Sequence, residues 1–146
     1  MTLATLLMPL SSGATETNAP DYDITITKAD ALDIAEAVFR FQFANNASGD
    51  QQKAPSYFLS LFGNDPDEEF LTRFKDNKPP VKKGSEFKIG KGLKFRVTKI
   101  KRITESKVEV EGGYYEAGLS SSGNTYTVEK KDEKWTVTKD KMNWIS

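Results

Sequence analysis

Residues 28–44, Lys-Ala-Asp-Ala-Leu-Asp-Ile-Ala-Glu-Ala-Val-Phe-Arg-Phe-Gln-Phe-Ala, hold the pattern from which the fold is read. Leu32, Ala35, Phe39 and Phe43 recur at helical spacing, and Ile34, Val38 and Phe41 widen that apolar face. Asp30, Asp33 and Glu36 crowd the first half, where acids complement the positive end of the helix dipole. Thr27, followed three residues later by Asp30, supplies a variant capping box. Asn45, Asn46 and Gly49 supply the stop. The stretch predicts an amphipathic helix over 28–44 that needs an apolar surface to lie on.

That surface is expected downstream. Leu93, Phe95 and Val97 alternate as one face of a strand, and Ile100 falls out of phase, which predicts a bulge. Thr104-Glu105-Ser106 reads as a turn, and Val108 and Val110 resume the alternation through Gly112 and Tyr114 to Glu116. Leu119 to Gly123 reads as a Ser/Gly loop, Tyr126 and Val128 as the next strand. Lys131 to Lys134 reads as a hairpin turn, and Trp135 and Val137 as the last strand. Between helix and meander, residues 56–62 suit a short buried strand or one helical turn, and the strand is the favoured reading. Asp65-Pro66-Asp67-Glu68-Glu69 suits a helix start with Asp65 as N-cap, running to Phe74. Residues 75–85, with Pro79-Pro80, read as a connector. The expectation is an α+β domain over residues 23–146, with a long N-terminal helix on a curved antiparallel sheet of four to six strands.

Composition removes whole classes of chemistry. The 146 residues include no cysteine and no histidine, which excludes thiolate and imidazole metal sites and Ser-His-Asp catalysis. No metal and no cofactor is expected, and any reaction would run on carboxylates, Lys, Tyr or backbone dipoles. Formal net charge is zero, so nucleic acid is not an expected partner.

Residues 3–10 form an apolar run too short to span a bilayer. Small residues permit cleavage after Ala14 or Ala19, but no Lys or Arg precedes the run. Residues 1–22 are thus read as a signal-peptide remnant, making the protein exported, periplasmic or secreted. The alternative is a disordered tail on a cytoplasmic protein.

Two stretches, Ala37 to Ser48 and Val110 to Tyr126, join the closing Lys134-Trp-Thr-Val and Met142-Asn-Trp-Ile-Ser146 in a resemblance. Together they resemble a family of exported bacterial proteins without an assigned activity. The element order is similar to the cone-shaped cystatin and nuclear-transport-factor-like folds, which implies a helix gripped by a bent sheet and hosts enzymes and binding modules alike.

Candidate residues fall in two groups. Tyr114 and Tyr115, with Glu111 and Glu116, are candidate ligand-binding residues, because phenols beside carboxylates offer hydrogen bonds to a bound molecule. Gly112 and Gly113 between them equally suit a bend in a strand. The second group follows from charge. Residues 1–70 carry 3 basic and 11 acidic side chains, whereas residues 71–102 carry 12 basic and 2 acidic. Lys94, Arg96, Lys99, Lys101 and Arg102 are therefore a candidate anion patch, for an anionic envelope polymer or partner protein. Solvated strand lysines balanced by the acidic helix are the plainer alternative. Weaker motifs are Leu119 to Thr125 as an anion cradle or hairpin loop, residues 65–69 as calcium ligands or a cap, and Asn46-Ala47-Ser48 as a glycosylation acceptor. The function expected is a non-enzymatic exported binding domain. The alternative is a small isomerase- or dehydratase-type enzyme with a buried carboxylate and tyrosines in the cone.

Overall fold

The structure is a computed structural model that describes residues 21–45, 54–117 and 120–146. The apolar run at residues 3–10, the cleavage sites and the Asn46-Ala47-Ser48 acceptor lie outside the described residues.

Helix α1 (Lys28–Ala44) forms where the spacing predicts it, with Thr27 as N-cap accepting a hydrogen bond from the Asp30 amide. Ala31, Ile34, Ala35, Val38 and Phe39 are fully buried along its apolar stripe. The helix is neither N-terminal nor long. It spans 17 residues, and the segment before it is tied to the sheet, with the Asp23 amide on the Ile100 carbonyl at 3.2 Å.

One sheet of six strands receives that stripe, in the order β2-β1-β3-β4-β5-β6. The strands are β1 (Tyr57–Leu61), β2 (Val81–Lys83), β3 (Leu93–Thr104), β4 (Lys107–Ala117), β5 (Ser120–Lys131) and β6 (Lys134–Ile145). The last four pair antiparallel, as their hairpin-short connections require. The sheet as a whole is mixed, not antiparallel, because β1 runs parallel to both β2 and β3. A parallel pair needs a long crossover. Here the crossover contains α2 (Glu68–Leu71) and the 3-10 turn Thr72–Phe74. The expected connector 75–85 thus contains a strand, which has no periodic signal because it is only three residues long.

Three further expectations are corrected. The cap of α2 is Asp67, whose carboxylate accepts from the Phe70 amide; Asp65 instead holds the Ser85 amide and hydroxyl at 2.8 and 2.6 Å. Ser120 to Gly123 belong to β5 and are not loop. The last strand continues well past Val137, to Ile145.

The core is an aromatic mosaic between α1, the α2 turn and the sheet. Phe39 meets Phe70 and Phe74 edge-on at 6.1 and 6.4 Å, and Phe43 meets Phe74 and Phe95 at 5.7 and 5.2 Å. Arg73 fastens the α2 turn to the helix by donating to Asp33 and Glu36 at 2.9 and 3.0 Å. The two-residue turn between β5 and β6 puts both Asp132 and Glu133 at positive φ, the twist-matched hairpin geometry.

Candidate functional site

Strand alternation divides the sequence-predicted ligand residues between two faces. Tyr114 is buried in the core, and its hydroxyl lies 3.5 Å from Ser120 Oγ, which donates to Glu116 at 3.0 Å. Tyr115 and Glu111 project from the other face, with Tyr115 packed edge-on against Phe87 at 5.7 Å. The two tyrosines therefore do not converge, and Glu111 is remote from Glu116. Glu116 lines a cleft of about 430 Å³ with Ala54, Pro55, Ile89, Gly92 and Leu93, at the end of the sheet. The space between α1 and the sheet is filled by Phe39, Phe95, Tyr126, Trp135 and their neighbours.

The helix face holds a polar network that the sequence did not advertise. Gln42 Nε2 donates to the Arg96 and Gly113 carbonyls at 3.0 and 3.3 Å and to Tyr126 Oη at 3.2 Å. A Cβ at Gly112 would press on Gln42 Nε2 and the Arg96 carbonyl, so glycine is what lets the helix reach the sheet backbone here. Alongside, Ser122 Oγ donates to Asn124 Oδ1, and Asn124 Nδ2 to Asp140 Oδ1, both at 2.7 Å. Burial pushes the Tyr126 hydroxyl up to about 12, so it stays neutral. Every link seen is donor to acceptor, and together the links stitch α1 to β3, β4 and β5.

The bulge between Val97 and Lys99 keeps most of the cationic group in phase. Lys94, Arg96, Lys99 and Lys101 sit opposite Tyr115, Gly113, Glu111 and Glu109 on the outer face, and Arg102, opposite Val108, falls on the other. Arg96 is half-buried on the outer face, where its guanidinium donates to the Ser122 and Tyr114 carbonyls at 2.7 and 3.3 Å. It lies 5.7 Å from the Trp144 ring, which is seated over Gly123, where no Cβ fits. Burial pushes Arg96 below its ordinary pKa. Arg102 is a clasp, donating to Thr25 Oγ1 and to the carbonyls of Thr25, Thr104 and Glu105. Lys99 and Lys101 stand directly across from Glu111 and Glu109 on β4. Lys94 Cε approaches Gly84, near the end of β1. The group thus lies mostly on one face but is not unopposed. Its arginines are spent on backbone carbonyls, and two of its lysines face acids.

What the structure brings together instead is the end of β6. Met142, Trp144 and Ile145 are 46%, 50% and 54% exposed within four residues of one edge strand, Met142 on the helix face and Trp144, seated over Gly123, on the outer face. Among the described residues, the other exposed large apolar side chains, Ile24, Ile89 and Ile103, are scattered singly. Scattered apolar residues are ordinary on protein surfaces, whereas clusters mark contact sites. Sequence reading registered Met142 to Ser146 only as part of a resemblance. The signal available was the loss of alternation after Val137, where apolar residues appear without a polar partner pattern.

Among the described residues, no cluster of three or more carboxylates is placed to hold a metal ion, and no helix is long and apolar enough to cross a membrane. Comparison with protein families, curated proteins and solved structures finds no match to this chain.

Proposed function

We propose that this protein is an exported, non-catalytic binding domain that meets its partner through the terminal half of β6. The observation that carries the reading is that Met142, Trp144 and Ile145 stand exposed on a strand with one edge unpaired among the described residues. Such a strand offers both apolar area and backbone hydrogen bonds to an incoming chain. The export part of the proposal rests on the apolar run at residues 3–10 and on the family resemblance.

Site-specific photo-crosslinking tests it. A crosslinker at position 142 or 145, in protein mixed with cell-envelope extract, captures one defined partner, while a crosslinker at exposed Asp76 does not. Equal capture from both sites, or capture only from position 76, refutes the reading.

A second reading is catalytic, of the isomerase or dehydratase kind, and draws on Glu116. That carboxylate lines the 430 Å³ cleft and connects through Ser120 to the Tyr114 hydroxyl. It requires a turnover that Glu116→Gln abolishes without lowering stability.

A further inference from the structure

We infer that the β6 edge takes up an extended acidic segment of a partner protein by antiparallel strand addition, with acidic residues at alternate positions opposite Lys139 and Lys141. The inference rests on the proposed binding function and specifies the chemistry of its partner.

Charge complementarity across the outer face carries it. Register places Lys99, Glu111, Thr125 and Lys141 in one row across β3, β4, β5 and β6, and Lys101, Glu109, Thr127 and Lys139 in the next. In each row the β3 lysine has a β4 glutamate directly opposite it, the placement that favours opposite charges. The β6 lysine has a threonine opposite it on its inner side, with Glu109 and Glu129 lining the same depression as Lys139, and among the described residues an open edge on its outer side. None of these four lysines closes an ion pair among the described residues, so what sets Lys139 and Lys141 apart is that threonine and not glutamate stands opposite them. Both rows therefore end in a lysine with its acid position vacant where a seventh strand would lie.

Strand geometry fixes the length and pattern of that segment. Thr138 and Asn143 are extra residues on β6, bulges against β5 that bracket a regular stretch from Lys139 to Met142. Bulges blunt an edge, so strand addition is confined to this stretch. Lys139 and Lys141 share the outer face, while Asp140 and Met142, paired with Tyr126 and Asn124, share the helix face. Read antiparallel, the complementary segment is apolar, acidic, neutral, acidic. Exposed Met142 receives the apolar residue on the helix face.

The same charges oppose pairing with a second copy. A symmetric antiparallel register centred on Asp140 sets Asp140 against itself and Lys139 against Lys141, and one centred on Lys141 sets that lysine against itself. Like charges directly opposite are destabilising.

The test uses the full chain and a capped hexapeptide, Thr-Val-Glu-Thr-Glu-Thr, with Thr-Val-Lys-Thr-Lys-Thr as control. Two-dimensional NMR follows the backbone amides during titration, and hydrogen exchange follows their protection. The expected result is saturable shifts centred on residues 139–142, slowed exchange there, and binding at least about tenfold tighter for the acidic peptide at low salt. The Lys139→Glu/Lys141→Glu variant, whose substitutions are fully on the surface, inverts the preference toward the lysine peptide. Equal binding of both peptides, shifts centred elsewhere, or an unchanged preference in the variant overturns the inference. So does concentration-dependent dimerisation that protects the same amides without peptide. These failures leave the binding proposal standing if crosslinking from position 142 or 145 still captures a partner.

Discussion

Replacing Gln42 by glutamate exchanges the donor at the centre of the buried network for an acceptor. Gln42 is 3% exposed, and its Nε2 faces the Arg96 carbonyl, the Gly113 carbonyl and Tyr126 Oη within 3.3 Å. A carboxylate oxygen there confronts two carbonyls that cannot donate, and only the tyrosine hydroxyl can turn to serve it. Losing the donated hydrogen bonds costs about 2–3 kcal/mol at roughly 1 kcal/mol each. The charge adds to this. A carboxyl in that setting is held well above its ordinary pKa of about 4.3, and a rise to about 7 corresponds to about 3–4 kcal/mol at 1.36 kcal/mol per unit. The sign follows from linkage. The folded state keeps a proton that the unfolded chain has released, so this second penalty is absent below about pH 4 and grows as pH rises toward 7. Urea unfolding of wild type, Gln42→Glu and Gln42→Ala at several pH values measures it. The glutamate variant should lie about 5–7 kcal/mol below wild type at pH 7 and recover more than half of that near pH 4, while the alanine variant shows a loss that does not change with pH. A Gln42→Glu penalty under about 1 kcal/mol at pH 7, or one independent of pH, refutes the network as described.

Other consequences are simpler. With Tyr126 raised from 10.0 to about 12, the folded state retains a proton the unfolded state loses above 10. Between about pH 10 and 12 the protein should lose about 2–3 kcal/mol from this residue, and Tyr126→Phe should flatten that part of the stability profile. Glu133 holds positive φ in a hairpin turn, and its bond to Lys130 is a long 3.5 Å surface pair. Glu133→Gly should therefore stabilise by about 0.5–1 kcal/mol in thermal unfolding. Trp135 is 7% exposed, and its Nε1 donates to nothing among the described residues. Trp135→Phe should cost less than about 1.5 kcal/mol by urea unfolding, against about 3–5 kcal/mol for Trp135→Ala, because phenylalanine keeps much of the packing and removes an unpaired donor.

The parts of the fold legible in the sequence are those governed by local periodicity. Helix α1, its Thr27 cap, the bulge before Ile100 and the 131–134 hairpin turn all follow from spacing and turn chemistry within a few residues. The parallel pairing of β1 was not legible, because it depends on a three-residue partner strand and a crossover. The Ser-Ser-Ser-Gly run of β5 suggested a loop by composition. It is strand because Ser121 bonds Ser146, the residue after β6, in both directions, and because Gly123 makes the seat for Trp144. The candidate sites suffered from the same gap between composition and register. Tyr114 and Tyr115 are adjacent in sequence and thus opposite in space. Lys99 and Lys101 looked like an unopposed cationic run until Glu111 and Glu109 arrived from β4. The lysines that remain unopposed, Lys139 and Lys141, belong to a strand whose extent the sequence did not reveal.

The central claim is that the free end of β6 is where a partner meets this protein, and residue-resolved amide hydrogen exchange tests it most directly. With the crosslinked partner purified and added back, residues 139–145 should gain protection while α1 and the residues lining the Glu116 cleft keep their free-state rates. Protection that instead gathers at Ala54, Leu93 and Glu116, with β6 exchanging as before, would contradict it.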